Sequence, residues 1–327
     1  MKLVTFEVST PLGPMQRIGA LTQKGLIDLN MGYTCYRYEK QGSRFAYELS
    51  SALLPPNMID FFRTGKEGKE AAEATIKYIT PLEEVSGPNG ENVIYSLDKV
   101  KMKAPVPRPN SIRDYTSYEA HVRFFQKTPT DAWYQMPVCY KGNPDAVIGS
   151  EEEILWPSFS DRLDYEMEYG FYIGKEGINI SRDQAEKYIA GYTIFNDISA
   201  RDKQQQEMTA KLGPYKGKDT CNIMGPCLVT PDEVDPNNMQ MVTRVNGEVW
   251  SEGNSGTSYW TVAQLIEYAS MDETLYPGDF LAMGTMGRGS GIELDKWIQP
   301  GDIIEMAADG IGILRNRVGD KMKKITS

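Results

Sequence analysis

Apolar and polar positions alternate near the start of the chain, in LVTFEV (3–8) and again in RIGALT (17–22), with the short GLIDLN (25–30) behind them. That period of two predicts three strands. Helical patterning follows in three stretches. One starts after Ser43 and stops at Pro55 and Pro56, one opens near Asn57 and ends at Gly65, and one runs through KEAAEATIKYI (69–79). Residues 103–110 carry three prolines, which neither a helix nor a central strand tolerates, so the best boundary falls here. Beyond it strands dominate. DYEMEYGFYIG (164–174) alternates over a long stretch, and GYTIFND (191–197) is a further strand. VTRVNGEVW (242–250) is a hairpin turning at Asn246–Gly247, and Pro-Gly-Asp turns at 277–279 and 300–302 each lead into an apolar strand. Two short helices interrupt them, with capping-box spacing at Ser181/Gln184 and an opening at Thr261/Gln264. The expected fold class is α+β: a small N-terminal α/β domain (1–105), then a mixed β-barrel or rolled-sheet catalytic domain (106–327).

Composition narrows the partners. A net charge of −10 and a pI near 4.9 give no attraction to nucleic acid or to an anionic membrane. No apolar run approaches the roughly 18 residues of a membrane span, and the N-terminus lacks the apolar stretch of a signal peptide. Cys35, Cys139, Cys221 and Cys227 form no CxxC pair and are read as reduced thiols of a cytoplasmic protein. An anionic substrate then needs local cations or a metal to overcome the overall charge.

Candidate chemistry gathers in a few segments. In a strand, Glu166 and Glu168 share one face, about 7 Å apart. Their repulsion is roughly 2.4 kcal/mol at an effective dielectric of 20, unless a cation lies between them. A hard divalent ion suits such oxygens, although a solvated strand face is the plainer alternative. Asp197 offers a third oxygen, with Arg201 and Gln204 on one helical face beside it, unless Asp197 is an ordinary helix cap. His121 is the chain's only histidine, with Asp114 seven residues earlier, and is either an imidazole base or a surface histidine. Lys216 and Lys218 precede an apolar strand and fit either an enolate-binding lysine or a solvated loop. The glycine-rich 284–293 fits a turn with a weak anion-binding character, and has neither the Walker A nor the dinucleotide-binding pattern.

In order, DYTSYEAH, PVCYKG, DYEMEY, FNDISARDKQQQE, LGPYKGKDTCNIMGPCLVT and MGTMGRGSG, closed by residues 291–318, resemble the fumarylacetoacetate hydrolase superfamily over roughly 107–327. The resemblance implies a metal on Asp114, Glu166, Glu168 and Asp197, Mg²⁺ first with Mn²⁺ or Ca²⁺ as alternatives. It implies His121 as general base paired with Glu293, and substrate contacts at Tyr140 and Thr285. Arg201, Gln204 and Lys218 would stabilise an oxyanion, Lys218 being preferred to Lys216 because it keeps the spacing from LGP, with Thr220 or Asn222 beside it. Two positions depart from the pattern. Phe124 stands where some members carry a lid-helix glutamate, and Met208 where the hydrolases proper carry a substrate-holding tyrosine. The implied reaction is C–C hydrolysis of an acylpyruvate or fumarylacetoacetate-like 1,3-dicarbonyl acid. The alternative is an isomerase, hydratase or decarboxylase acting on a 2-oxo acid through a metal enolate. A homodimer is implied as well. A non-catalytic metal-binding protein is the reading from another class, which metal binding without turnover would favour.

Overall fold

The computed structural model describes residues 1–323. Its largest sheet runs, edge to edge, through Ile94–Tyr95, Gly25–Asp28, Gly13–Thr22, Lys2–Thr10, Asn222–Val229, Ile189–Asp197, Met167–Ile173, Asp279–Ala282, Ser111–Tyr115 and Cys139–Gly142. Neighbours on this path are antiparallel except Asp279–Ala282 against Ser111–Tyr115. A second sheet of five strands is ordered Glu248–Asn254, Gln240–Val245, Ile303–Ala308, Gly312–Lys321, Ile154–Trp156. The fold is thus mixed and sheet-rich with helices. Among the described residues the strand paths stay open at both ends, so the barrel alternative does not close. The proline-rich 103–110 is neither helix nor strand apart from its loop turns. The sheet nevertheless continues across it, because Lys2 and Leu3 pair with Val229 and Leu228.

The helices Leu29–Cys35, Met58–Arg63 and Gly65–Ile79 bury Leu29, Tyr33, Phe61, Phe62, Ala71 and Ala72 against one face of this sheet, where they meet Tyr172, Phe195, Phe280 and Ile112. On the other face, Met167, Tyr169 and Phe171 pack with Met241, Ile304 and Met306 of the five-stranded sheet. Every residue of Met167–Ile173 is therefore buried, and its alternation separates two cores rather than core from solvent. Three strands share a layout with functional consequences. Each carries an apolar residue in the helix-side core and a carboxylate two or four residues away on the same face: Ile112 and Asp114, Tyr172 and Glu168, Phe195 and Asp197.

Local signals fared unevenly. Asn246 and Gly247 have φ of 51° and 83°, as a two-residue hairpin turn requires. Thr261 and Gln264 form both halves of a capping box on Val262–Ala269. Ser181 does not cap: Arg182–Tyr188 is a 3₁₀ helix. The Gln184 side chain instead donates to Asp183 and accepts from Lys187, which removes the reciprocal half of the box.

Candidate active site

The three carboxylates named above converge at the end of the strands. Oxygens of Asp114, Glu168 and Asp197 all lie within 4.8 Å of one another, and all three residues are buried. Burial pushes the Asp114 and Glu168 carboxyls well above their ordinary range. The charge of Asp197 adds to the first, and those of Asp114, Glu166 and Asp197 to the second. Asp114 Oδ1, Glu168 Oε2 and Asp197 Oδ1 are buried without a hydrogen-bond partner among the described residues. Orphaned acceptors are costly in a dry site. A set of hard oxygens with free lone pairs fits a divalent cation such as Mg²⁺, Mn²⁺ or Ca²⁺. The remaining oxygens are held by neighbours: Tyr140 Oη donates to Asp197 Oδ2 (2.7 Å) and Thr285 Oγ1 to Glu168 Oε1 (2.9 Å).

Glu166 stands apart from that triad. Its Oε1 accepts from Arg201 Nη2 at 2.7 Å and its Oε2 from Lys218 Nζ, which also donates to Asp197. Burial opposes ionisation of Glu166, but the Arg201 and Lys218 charges outweigh it and hold the carboxyl far below its usual range. Lys218 is buried, whereas Lys216 is exposed, 5.9 Å above the Phe159 ring. Arg201 opens the helix Arg201–Thr209, and its Nη1 donates to Gln204 Oε1 at 3.0 Å, as one turn of helix allows.

His121, on the helix Glu119–Phe125, is buried. Its Nδ1 lies 3.0 Å from Glu293 Oε2 and its Nε2 lies 3.7 Å from Glu166 Oε1. A carboxylate at Nδ1 favours the tautomer that carries its proton there, which leaves Nε2 as the acceptor. Glu293 is itself fixed by the backbone N–H groups of Arg288 (2.9 Å) and Ser290 (3.2 Å) and by the Ser290 hydroxyl (2.8 Å). Burial works against its ionisation, and the adjacent His121 ring together with the bonds from Arg288 and Ser290 prevails to keep its carboxyl below the usual range.

Four N–H groups of the glycine-rich turn, those of Arg288, Ser290, Gly291 and Ile292, thus go to carboxylates of the chain itself. The sequence offered a turn with a weak anion-binding character there, and these four donors are already engaged within the chain. The second such carboxylate was missed by sequence reasoning: Asp164 accepts from Gly291 N (2.8 Å), Ile292 N (3.1 Å) and Arg201 Nε (2.8 Å). It joins the turn that bears Glu293 to the arginine that holds Glu166. Its signal was parity, since 164, 166 and 168 share one face of an extended chain. Thr220 Oγ1 and Asn222 Oδ1 are buried without partners, while Asn222 Nδ2 donates to the Asn143 carbonyl.

A cavity of about 790 Å³ opens over this centre. Asp114, His121, Tyr140, Glu166, Glu168, Arg201, Gln204, Lys218 and Thr285 line its inner end, and Phe124 and Met208, the two departures from the pattern, line its wall. Acids that fit a hard cation, two buried cationic side chains and an imidazole beside a carboxylate thus surround one cavity. The chain belongs to the fumarylacetoacetate hydrolase family: residues 110–319 match the model described as fumarylacetoacetate (FAA) hydrolase C-terminal. It is 35% identical over 244 residues to oxaloacetate tautomerase YisK of Bacillus subtilis, covering 71% of this chain and 78% of that protein. It is 30% identical over 321 residues to the mitochondrial oxaloacetate tautomerase FAHD2A of Bos taurus, covering 97% and 91%. Among solved structures, a maleylpyruvate hydrolase from Sphingobium sp. SYK-6, in complex with manganese (II) ion and pyruvate, shares the fold. It has a TM-score of 0.69 at 23% identity, covering 99% of this chain and 100% of that one.

Proposed function

We propose that this protein is a divalent-cation-dependent enzyme that moves a proton at the carbon beside the oxo group of a 2-oxo acid, interconverting keto and enol forms. The observation that carries it is the His121–Glu293 pair. It sets one base beside the buried acids, and an imidazole that takes the proton from carbon can hand the same proton to the oxo oxygen. The names of the two oxaloacetate tautomerases support the reaction type.

Asp114, Glu168 and Asp197 would hold the cation, with Glu166 adjoining, and Mg²⁺ is the first choice among Mg²⁺, Mn²⁺ and Ca²⁺. When bound, such an ion supplies Lewis acidity that lowers the cost of negative charge on the oxo oxygen. Lys218 and Arg201 bring positive charge to the cavity, where they receive the substrate carboxylate and the oxygen on which charge develops. Gln204 holds the Arg201 guanidinium in plane with that task. Tyr140 and Thr285 sit at the rim of the acids and orient the substrate. His121 Nε2 takes the proton from carbon, becoming an imidazolium beside the Glu293 carboxylate, and gives that proton to the oxo oxygen to form the enol, the reverse sequence restoring the keto form.

C–C hydrolysis of an acylpyruvate-like 1,3-dicarbonyl acid is the second reading. It is favoured by the same Nε2, which with Arg201, Gln204 and Lys218 around it is equally placed to take a proton from water. The two are separated by incubating the protein with 2-oxo diacids and with acylpyruvates, with Mg²⁺ or with EDTA, and identifying products. Metal-dependent keto–enol interconversion without release of a second acid supports the first reading. Metal-dependent release of two acids replaces it with the second, and an inert protein across the panel ends both.

A further inference from the structure

The outer part of the cavity is built differently from its inner end. Phe124, Phe125, Val138 and Met208 line it with 49%, 51%, 37% and 51% of their surface exposed. Trp133 and Trp297 complete the wall. This apolar surface begins at the base itself, because the Phe125 ring packs edge-on against His121 with centroids 5.2 Å apart, and Phe124 stands edge-on to Phe125 at 5.0 Å. Large apolar side chains left open to water inside a concavity mark a surface that a ligand covers. A short 2-oxo acid fills the inner end and leaves most of the 790 Å³ to water.

Building on the proton-transfer reading above, we propose that the preferred substrates are 2-oxo acids bearing an apolar substituent, a medium alkyl chain or an aryl ring. Their acid end faces Lys218 and Arg201, and their substituent lies along Phe125, Phe124, Val138 and Met208. The occupant is a single small molecule whose two ends match the two ends of one cavity. The Phe125 ring, packed against His121, offers apolar surface to the substituent of a carbon bound beside Nε2.

The test uses the full chain with Mg²⁺ and a series of straight-chain 2-oxo acids of increasing length, together with phenylpyruvate and a short 2-oxo diacid. Affinity is read from quenching of tryptophan fluorescence, since Trp133 and Trp297 lie in the wall. Turnover is read from solvent-deuterium exchange at the carbon beside the oxo group. The expected result is tightening of up to about fourfold per fully buried methylene, mirrored in kcat/KM. Met208→Gln and Phe124→Gln, both at exposed positions where folding is little at risk, should flatten the series by lowering the long-to-short preference. A flat series, or a preference for the short diacid, overturns the proposal. So does an equal loss on every substrate in both variants, which would make this wall a cover that closes on small ligands. Length-dependent binding without exchange on any substrate leaves the tail site standing and sinks the proton-transfer reading instead.

Discussion

Asp114, Glu168 and Asp197 are each buried and each left with an oxygen that nothing among the described residues satisfies. A cation held there, as proposed, would relieve their mutual repulsion and link its binding to folding. A divalent ion at about 100 times its Kd stabilises the folded chain by about 2.7 kcal/mol. Thermal melting with and without EDTA should show that shift, and Glu168→Gln should abolish it without lowering the melting temperature of the EDTA-treated protein. A cation shift of undiminished size in the variant would count against this triad. The residues that orient the base can be probed separately, because His121 is the only imidazole in the chain. Nitrogen shifts of that one ring report its tautomer without any assignment problem. Glu293→Gln should mix the tautomers, and Asp164→Asn should do so more weakly by loosening the turn that carries Glu293. An unchanged spectrum in both variants would make Glu293 and Asp164 merely structural. Much at this scale was legible. Glu166 and Glu168 stood out by spacing, Asp197 by its place where a strand ends and the chain turns polar, and His121 by being alone. Asp164 did not, because the N–H groups that define it arrive from residues 127 and 128 positions later in the chain.

At the scale of elements, the site depends on how the strand Asp279–Ala282 hands over to the glycine-rich turn. Gly284 has φ of 86°, and a Cβ there would come within 2.0 Å of the Tyr115 carbonyl oxygen, next to the strand that presents Asp114. Gly284→Ala should therefore cost more than about 1 kcal/mol in a urea midpoint measurement, since both the dihedral and the space are wrong for a side chain. A midpoint within error of the parent would show that the turn and Tyr115 can separate freely. Short-range signals served well where the partners are local, as in the Asn246–Gly247 turn and the Thr261 capping box. They failed at Ser181, where neighbouring Asp183 and Lys187 compete for the Gln184 amide. The long alternating stretch after Asp164 was read as a strand with a polar face. It is instead buried on both sides, a property of what packs on the sheet rather than of its own pattern.

For the whole molecule, the order of strands was beyond reach of the sequence, because pairs such as Leu3 with Leu228 join residues far apart in the chain. The two parts of the chain are also clamped by charge. Glu152 accepts from Lys103 Nζ at 2.7 Å and from Gly149 N at 2.8 Å, and lies 3.3 Å from Lys101 Nζ on the short strand that pairs with Lys2–Thr10. Burial opposes its ionisation, but these donors win and the carboxyl sits below its ordinary range. A carboxyl lowered by folding contributes stability that is fully present above its unfolded pKa, near 4.3, and is lost as the pH falls through the folded value. Glu152→Gln should thus remove about 1 kcal/mol or less at neutral pH, and the gap to the parent should shrink as the pH falls below about 4. Denaturant titrations at neutral and acid pH check this, and a gap that widens in acid would reverse the sign.

The central claim is that His121, oriented by Glu293 beside cation-binding acids, moves a proton at the carbon next to an oxo group. Solvent-deuterium exchange at that carbon of a 2-oxo acid, followed by proton NMR, tests it most directly, because exchange is seen whether or not any bond to carbon later breaks. The account predicts enzyme-dependent exchange that requires Mg²⁺ or Mn²⁺, disappears with EDTA, and falls by about 10²- to 10⁴-fold in His121→Ala. Exchange at the uncatalysed rate in the metal-loaded protein, or exchange that survives in His121→Ala, would contradict it.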